Sequence, residues 1–208
     1  MSRYTGPKMR IARRLGVQIF GRNTGKDAKK YNFAKKNYPP GQHGQGKIGK
    51  ISEYGKQLNE KQKIRFLYGI TERSMRNYYQ KALKIKGVTS DDLLRLLETR
   101  LDNVIFRAGL TNTRAQARQI VTHALVLVNG KKTDIPSMEL KIKDTFEIRA
   151  NKKNSPLFAE IKKAKNAPAR WLAVNFPNLS GEVMILPGKD DFEKIIDPKM
   201  VIEYYSKA

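Results

Sequence analysis

The segment from Glu98 to Gly130 limits the possible folds of this chain more than any other, because its apolar residues follow helical periods and then a strand pattern. Apolar residues recur at steps of three and four ahead of it and through its first part: Leu93, Leu94, Leu97, Leu101, Val104 and Ile105. This spacing predicts one continuous helix with a single buried face. Gly109 is expected to end that helix.

A second helix follows in the same segment, and a capping pattern marks its start. Thr113 is a good N-cap, and Gln116 three residues later completes the capping-box spacing. Four apolar residues predict the buried stripe of this helix: Ala117, Ile120, Val121 and Ala124. Arg114 and Arg118 lie four residues apart, so we expect both to face outward from another part of its surface.

The end of the segment has the pattern of a β-hairpin. Residues 125–128 are a short apolar run of Leu and Val. Asn129-Gly130 suits a type I′ turn, because both residues tolerate positive φ. The whole segment therefore predicts a small helix-helix-strand module with arginines on its surface.

Positive charge is concentrated ahead of this module. The 208-residue chain carries 42 Lys and Arg against 19 Asp and Glu, a formal charge of +23. Residues 1–65 hold 17 of the basic residues and 3 of the acidic ones. Such an excess goes beyond what solubility requires and indicates a polyanionic partner. Nucleic acid is favoured over a membrane surface, because the cations alternate with tyrosines and glycines and no Trp- and Phe-rich apolar face accompanies them.

Missing residue types and segments limit what else the chain can be. It contains no Cys, so neither a disulfide nor a thiolate metal site can form, which fits a reducing compartment. No signal-peptide h-region and no apolar run of membrane-spanning length occur. We therefore expect a cytoplasmic protein without a membrane partner.

Changes in composition divide the chain into four expected regions. Residues 1–51 are too poor in apolar residues for an ordinary core, which predicts an extended basic arm that orders on its partner. Residues 52–90 predict a helical region, and residues 91–150 contain the central RNA-binding module of helices and strands. Residues 151–208 predict a helix, short strands and a C-terminal helix that packs back on the other regions. The expected fold class is α+β, a helical basic N-terminal region plus a small helix-helix-β RNA-binding module.

Caps and stops place the other elements. Helices are expected from Tyr54 or Lys56 to Tyr68 with a stop at Gly69, from Thr71 to Gly87, from Ser155-Pro156 toward Pro168, and from Asp197-Pro198 through Tyr205. Ser90 and Asp91 are expected to cap the helix of the opening segment. The apolar face of the second of these helices comprises Met75, Tyr78, Tyr79, Ala82 and Leu83. Short strands are expected at Ile135-Pro136, 144–149, 171–174 and 182–186.

Catalytic chemistry has little support in the sequence. His43 and His123 are the only histidines, and neither is spaced with carboxylates as a metal ligand would be. The glycine-rich residues 41–46 lack the flanking elements and the Lys-Ser/Thr ending of a nucleotide-binding P-loop. They suit a backbone that lies close to RNA phosphates, with Lys47 and Lys50 following. We expect no enzyme, no cofactor, no metal and no small-molecule substrate.

One triplet allows a catalytic alternative. Arg100-Leu101-Asp102 resembles the catalytic-aspartate motif of pseudouridine synthases, which often carry a similar RNA-binding module. Because the triplet lies within the predicted continuous helix, ion pairs between Asp102 and arginines of its own module are favoured over contact with a flipped base. An RNA-modifying or tRNA-charging enzyme would also need a second domain, and residues 150–208 are too short to supply it.

Tyrosines offer surfaces on which bases can stack. The candidates for such stacking are Tyr31, Tyr38, Tyr54, Tyr78 and Tyr79. Tyr78 and Tyr79 lie at core spacing and are expected to be packed. Tyr54 lies between Lys50 and Lys56 and is the better candidate for an RNA contact.

Six motifs occur in order along nearly the whole chain: RYTGPKMRIARRLG, YPPGQHG, YGKQLNEKQKIRFLYG, NYYQKALKIKGVTSDDLLRLLETRLDN, ETRLDNVIFRAGLTNTRAQARQIVTHALVLVNG and IEYYSKA. Together they resemble the family of small-subunit ribosomal protein number four, in its bacterial or organellar form. The resemblance implies a structural component of the small subunit that binds 16S rRNA early and nucleates assembly of the subunit body. It further implies a contribution to mRNA entry and decoding accuracy, repression of its own translation, and contacts with mRNA and with ribosomal proteins five and three.

The resemblance also implies which residues make these contacts. Lys47 and Lys50, which match the basic loop after GQHG, would be the mRNA-entry cations. The other implied RNA contacts lie in the arm, the first helices and the central module: Arg3, Lys8, Arg13, Arg14, His43, Tyr54, Lys56, Lys61, Lys63, Arg65, Arg76, Arg100, Arg107, Arg114, Arg118, His123, Asn129, Lys131 and Lys132.

Two departures from the family pattern affect these expectations. Some relatives carry four zinc-binding cysteines in the arm, where this chain has Met9, Ala12, Lys26 and Tyr31. RNA and local packing would then have to order the arm. The loop after GQHG carries Gly and Lys in place of Arg, which reduces the scope for bidentate contacts. A non-specific RNA binder stays open as an alternative, because phosphate contacts alone carry no preference for one RNA.

Overall fold

The computed structural model describes residues 4–20, 36–46, 49–153, 155–158 and 167–207. The chain divides into two compact units, Met1–Leu93 with Glu193–Ala208, and Leu94–Phe192. The helices are α1 (Lys8–Leu15), α2 (Glu53–Leu67), α3 (Glu72–Lys84), α4 (Thr89–Glu98), α5 (Leu101–Arg107), α6 (Arg114–Thr122) and α7 (Pro198–Lys207). The strands are β1 (Val126–Val128), β2 (Lys131–Thr133), β3 (Thr145–Ile148), β4 (Leu172–Asn175) and β5 (Ser180–Val183). The predicted α+β class is confirmed, because the described residues form helices together with an antiparallel sheet.

Side-chain caps start several of the described helices. Ser52 caps α2 by accepting a hydrogen bond from the Gly55 amide at 3.2 Å, and Thr71 caps α3 in the same way. The predicted Thr113 cap is confirmed, because its hydroxyl accepts from the Gln116 amide at 3.2 Å. The Gln116 side chain, however, accepts from the Asn112 amide at 3.0 Å. In a regular capping box the Gln116 side chain would accept from the amide of Thr113 itself. The second bond of the box is therefore displaced by one residue toward the N-terminus.

In the first unit, α7 lies against α2 and α3. Gln57 donates to the Glu203 carboxylate at 2.8 Å, and the rings of Tyr79 and Tyr205 stack with centroids 4.9 Å apart. Fully or nearly fully buried side chains from all three helices form this core: Ile64, Met75, Tyr78, Ala82 and Val201. The prediction that Leu83 belongs to it is wrong, because 53% of that residue is exposed.

In the second unit, the predicted continuous helix is broken at Arg100. The Arg100 backbone is extended, with φ −62° and ψ 137°, and it forms an isolated antiparallel bridge with Glu139. The Leu101 amide donates to the Met138 carbonyl at 2.8 Å, and the Leu140 amide donates to the Thr99 carbonyl at 2.9 Å. The helical period continues across the break because the leucines on both sides enter a buried core, so apolar spacing alone did not reveal it.

The sheet has five antiparallel strands in the order β2-β1-β3-β5-β4. The predicted turn at Asn129-Gly130 is confirmed, because both residues have positive φ, 50° and 75°. It sets the β1-β2 register, in which Leu127 faces Lys132. One face of the sheet closes on α5 and α6 through fully or nearly fully buried residues: Val126, Val128, Phe146, Ile148, Trp171 and Val183.

Several predicted boundaries differ from the structure. Helix α3 ends at Lys84, three residues ahead of Gly87, and α4 begins at Thr89, so Ser90 lies inside it. Ile135 and Pro136 belong to no strand, because pairing with β1 ends at Thr133. The last strand lies earlier than predicted, at Ser180–Val183, which leaves Met184, Ile185 and Leu186 exposed beyond it.

The predicted arm is not extended throughout, because residues 8–15 form the helix α1. Arg13 on this helix reaches a distant segment of the arm. Its Nε donates to the Tyr38 carbonyl at 2.9 Å, and its Nη2 donates to the Pro39 carbonyl at 3.1 Å. Its guanidinium also lies over the Tyr38 ring, 4.5 Å from the centroid. One arginine therefore ties together two arm segments that are separated by 25 residues in sequence. Lys26 and Tyr31, two of the four positions aligned with zinc ligands, lie outside the described residues.

Arg13→Ala is expected to loosen the segment 36–46 relative to α1. Loss of two hydrogen bonds to backbone carbonyls and one cation-π contact should cost about 1–2 kcal/mol of local stability. Hydrogen exchange of the backbone amides in residues 36–46 of the full chain, Pro39 and Pro40 apart, measures this local stability. Arg14→Ala is the matched control, since Arg14 is adjacent and exposed. Equal exchange rates in both variants would show that Arg13 does not order the arm.

Candidate nucleic-acid interface

A fully buried carboxylate organises the basic side chains of the second unit. Glu98, the last residue of α4, has no exposed surface. Its carboxylate accepts from Arg107 Nε at 2.8 Å and Nη2 at 2.7 Å, and it also accepts from the Asn103 amide nitrogen at 2.6 Å. The Arg107 Nη2 donates as well to the Asp191 carbonyl at 3.2 Å. Such a bidentate pair fixes the direction of the guanidinium as well as its position.

The Asn103 side chain extends this cluster toward α6. Its Oδ1 accepts from Arg114 Nε at 2.8 Å, and the Arg114 guanidinium lies over the Phe106 ring at 4.5 Å from the centroid. Arg114 is the first residue of α6 and is partly buried. Its side chain is therefore held from two directions by α5.

A second buried carboxylate holds two further arginines. Asp102 is 4% exposed and accepts from Arg100 Nε at 3.0 Å and Nη2 at 2.8 Å. Arg118 Nη1 lies 3.7 Å from the same carboxylate. The predicted pairing of Asp102 with arginines of its own module is confirmed. A carboxylate committed to these ion pairs is not available to a flipped base, so the alternative of a pseudouridine-synthase-like enzyme loses its catalytic residue.

Two expectations about these arginines need correction. Arg100 was expected to contact RNA, but it is 2% exposed and its guanidinium is occupied by Asp102. Arg114 and Arg118 were expected to face outward, whereas the Arg118 side chain is 12% exposed and both arginines are held by α5. Sequence spacing located their helix face correctly. It did not show that the Asp102 carboxylate and the Asn103 amide of α5 lie against part of that face.

The hairpin presents a different basic surface. Lys131 and Lys132 on β2 are exposed, and so is His123 at the C-terminal end of α6. Asn129 was expected to contact RNA as well, but its side chain binds residues at the start of β3. Its Oδ1 accepts from the Thr145 amide, and its Nδ2 donates to Asp144, both at 2.9 Å.

The predicted residues of α2 have contrasting surroundings. Lys56 and Lys63 form ion pairs one turn back, with Glu53 and Glu60. Tyr54 is 62% exposed, and its ring lies 5.7 Å from that of Tyr204. Its exposed face suits it to stacking on a base.

Lys61 was also predicted to contact RNA, but it is 5% exposed. Its Nζ lies 3.0 Å from the Glu72 carboxylate and 4.6 Å from the centroid of the Tyr204 ring. Burial alone would raise the pKa of Glu72, but hydrogen bonds from Lys61 and Tyr205 outweigh it and lower that pKa below its usual value. Burial and the bond to Glu72 raise the pKa of the Tyr205 hydroxyl. Lys61 therefore has a structural role in this unit.

The other predicted residues are spread over the arm and α3. Arg14, His43, Lys50 and Arg76 are exposed, whereas Lys8 and Arg65 are partly buried. Arg13 binds the arm itself. Arg3 and Lys47 lie outside the described residues. The exposed members lie in α1, in and just after the GQHG turn, and in α3.

Sequence inspection missed the two groups that order the central arginines, Glu98 and Asn103. Glu98 lies between Leu97 and Leu101 in the apolar pattern, and a carboxylate at such a position is buried only when it is paired. The place of Glu98 within the apolar pattern is therefore the sequence signal that could have identified it. The partner on α6 could not be found in the same way, because the contact joins two helices.

Among the described residues, no group of three or more His, Asp or Glu side chains lies close enough to hold a metal ion. No helix in the described ranges is long and apolar enough to cross a membrane.

The fold and the ordered arginines define a basic α+β RNA-binding protein. Residues 3–98 match the ribosomal protein S4/S9 N-terminal domain, and residues 99–146 match the S4 domain. Small ribosomal subunit proteins uS4 from Caldicellulosiruptor saccharolyticus and Heliobacterium modesticaldum are each 44% identical over 209 residues, and that from Latilactobacillus sakei is 44% identical over 208. Each alignment spans the whole of both chains. The chain belongs to the small ribosomal subunit protein uS4 family.

This membership confirms the resemblance seen in the six motifs. It also confirms that the chain is not an enzyme, because the family consists of structural ribosomal proteins. The boundary between the two matched domains, at residues 98 and 99, falls where α4 ends and the extended Arg100 begins.

Proposed function

We propose that this protein binds 16S rRNA early in the cytoplasmic assembly of the small ribosomal subunit and nucleates formation of the subunit body. The observation that carries the proposal is the set of arginines on α5 and α6 that buried carboxylates and an amide hold in fixed directions. Side chains that are ordered before binding lose less conformational entropy when they meet phosphates. A fixed arrangement of guanidinium groups also discriminates between RNA shapes, which unordered lysines cannot do.

The proposed contacts are chosen from the residues that the sequence predicts. In the central module they are Arg107, Arg114, Arg118, His123, Lys131 and Lys132, and in the first unit they are Lys8, Arg14, His43, Tyr54, Lys56, Lys63, Arg65 and Arg76. Arg3 stays a proposed contact on the basis of the sequence alone. Arg13, Arg100, Lys61 and Asn129 are left out of the proposal, because bonds within the fold engage their side chains.

The finer roles rest on fewer residues. Lys50 is exposed beside the GQHG turn, and with Lys47 it is proposed to contact mRNA at its entry path, near ribosomal proteins five and three. An effect on decoding accuracy and repression of the protein's own translation complete the proposal. Charge on an exposed loop supports these roles, since it suits transient contact with a moving strand.

Competition at fixed salt tests the proposed function. Full-length protein bound to a labelled in vitro 16S rRNA transcript is challenged with unlabelled 16S transcript or with random-sequence RNA of equal length. Random RNA is expected to compete at least about tenfold more weakly, because it lacks the folded junction. Equal competition by both RNAs would establish a non-specific polyanion binder and overturn the proposal.

A further inference from the structure

Asn103 lies between a buried carboxylate and an arginine of the proposed RNA surface. It is 2% exposed. Its Nδ2 donates to the Glu98 carbonyl at 3.0 Å and to the Glu98 carboxylate at 2.6 Å. Its Oδ1 accepts from Arg114 Nε at 2.8 Å. The side chain therefore connects the end of α4 to the start of α6 within one unit.

The chemistry of the neighbours fixes the orientation of this amide. A carbonyl and a carboxylate can only accept hydrogen bonds, so the Asn103 nitrogen has to face Glu98. The amide oxygen then faces Arg114, whose guanidinium can only donate. The reversed amide would place acceptor against acceptor and donor against donor. Glu98 thus determines, through Asn103, where the Arg114 guanidinium is held.

Helix stability does not explain why an arginine occupies this position. Arg114 is the first residue of α6, and no acidic residue lies in the first turn of that helix. A cation at a helix N-terminus is unfavourable, because the helix dipole is positive there. An anion near this point would be attracted by both the helix end and the guanidinium. Residues that lower local stability but are held in a fixed position are typical of functional sites. Arg114 is such a residue.

We infer that Asn103 is a positioning residue that holds the Arg114 guanidinium in the direction needed to bind an RNA backbone phosphate. The inference rests on the proposed rRNA-binding function and goes further, since it assigns a role in binding to a side chain that is too buried to touch RNA. Phe106 completes the arrangement by supporting the flat face of the guanidinium at 4.5 Å.

A double-mutant cycle with full-length protein and the 16S transcript tests the inference. Arg114→Ala is expected to weaken binding about tenfold, the effect of one charge-assisted hydrogen-bonded contact. Asn103→Ala should weaken it by a similar factor, and the double variant should bind no more weakly than Arg114→Ala. The slope of log K against log salt should fall by about 0.7–0.9 in all three variants, the loss of one phosphate contact.

The control cycle pairs Asn103→Ala with Lys131→Ala, whose exposed side chain lies on β2. The factors by which Asn103→Ala and Lys131→Ala weaken RNA binding should multiply in the double variant, because the two residues act separately. The inference would be overturned if the factors by which Asn103→Ala and Arg114→Ala weaken binding multiplied in the double variant. An unchanged salt slope in Asn103→Ala would overturn it as well. If Arg114→Ala bound as tightly as the wild type, the inference would be overturned as well. The proposed function is tested separately, by whether the wild-type protein prefers 16S rRNA to random RNA.

A second variant keeps the inference testable if Asn103→Ala does not fold. Arg114→Lys keeps the charge but lacks both the Nε that Asn103 holds and the planar fork. It is expected to bind about as weakly as Arg114→Ala. Wild-type affinity in Arg114→Lys would show that charge alone matters and that the direction set by Asn103 does not.

Discussion

Asp102→Ala is expected to lower the free energy of unfolding by about 3–5 kcal/mol, the cost of removing one partner from a buried ion pair. Asp102 and Arg100 are 4% and 2% exposed, and two hydrogen bonds of 3.0 and 2.8 Å join them. Without the carboxylate, the Arg100 guanidinium remains in a site that water cannot fully enter. Urea unfolding of the full chain, followed by circular dichroism, measures the loss.

Two further variants separate this effect from a general effect of losing a charge. Glu53→Ala removes a carboxylate from an exposed ion pair with Lys56, whose side chains are 75% and 47% exposed. It should change stability by no more than about 0.5 kcal/mol. Combining Arg100→Met with Asp102→Leu should recover most of the loss, because a packed apolar pair needs no charge partner. A loss for Asp102→Ala as small as that for Glu53→Ala would show that the pair contributes nothing special.

Gly181→Ala is expected to destabilise the protein by about 3 kcal/mol, at the upper end for an overpacked core. A methyl group at Gly181 would lie 2.5 Å from Phe146 Cζ and 2.8 Å from the Ala173 carbonyl oxygen. Phe146 is 1% exposed and has no room to withdraw. The Ala173 carbonyl belongs to β4, the neighbour of β5, so the sheet itself would have to shift. Thermal unfolding measures the effect.

Gly49→Ala is the matched control, since a methyl group there meets no atom within 4 Å. It should leave the melting temperature nearly unchanged. Adding Phe146→Leu to Gly181→Ala should relieve only the contact with the ring, so the double variant should stay less stable than the wild type. A Gly181→Ala protein that melts with the wild type would refute the close packing of β5 against its neighbours.

Local sequence rules predicted most of the elements, because those elements depend on near neighbours. The Thr113 cap needs only an amide three residues away, and the Asn129-Gly130 turn needs only two residues that accept positive φ. The apolar spacing around Val104 identified a buried helix face, since a helix brings residues three and four apart onto one side. These rules also located the basic module and, through its motifs, the family.

The same rules could not place the break at Arg100. The extended backbone there depends on hydrogen bonds with residues 138 and 140, nearly forty positions further along the chain. Such pairing leaves no trace in the local period, because Leu97 and Leu101 are buried on both sides of the break. Helix boundaries set by distant partners require the tertiary structure.

The sequence by itself determined that this chain is a basic α+β protein built around the helix-helix-strand segment, because charge, capping and apolar period are properties of neighbouring residues. Only the tertiary structure decided how each arginine of that segment is buried and paired. Arg100 and Arg118 are both basic residues of that segment, yet Asp102 accepts a bidentate pair from the first at full burial and only approaches the second. Burial and the direction of a guanidinium depend on groups from other helices, and these groups become neighbours only when the chain has folded.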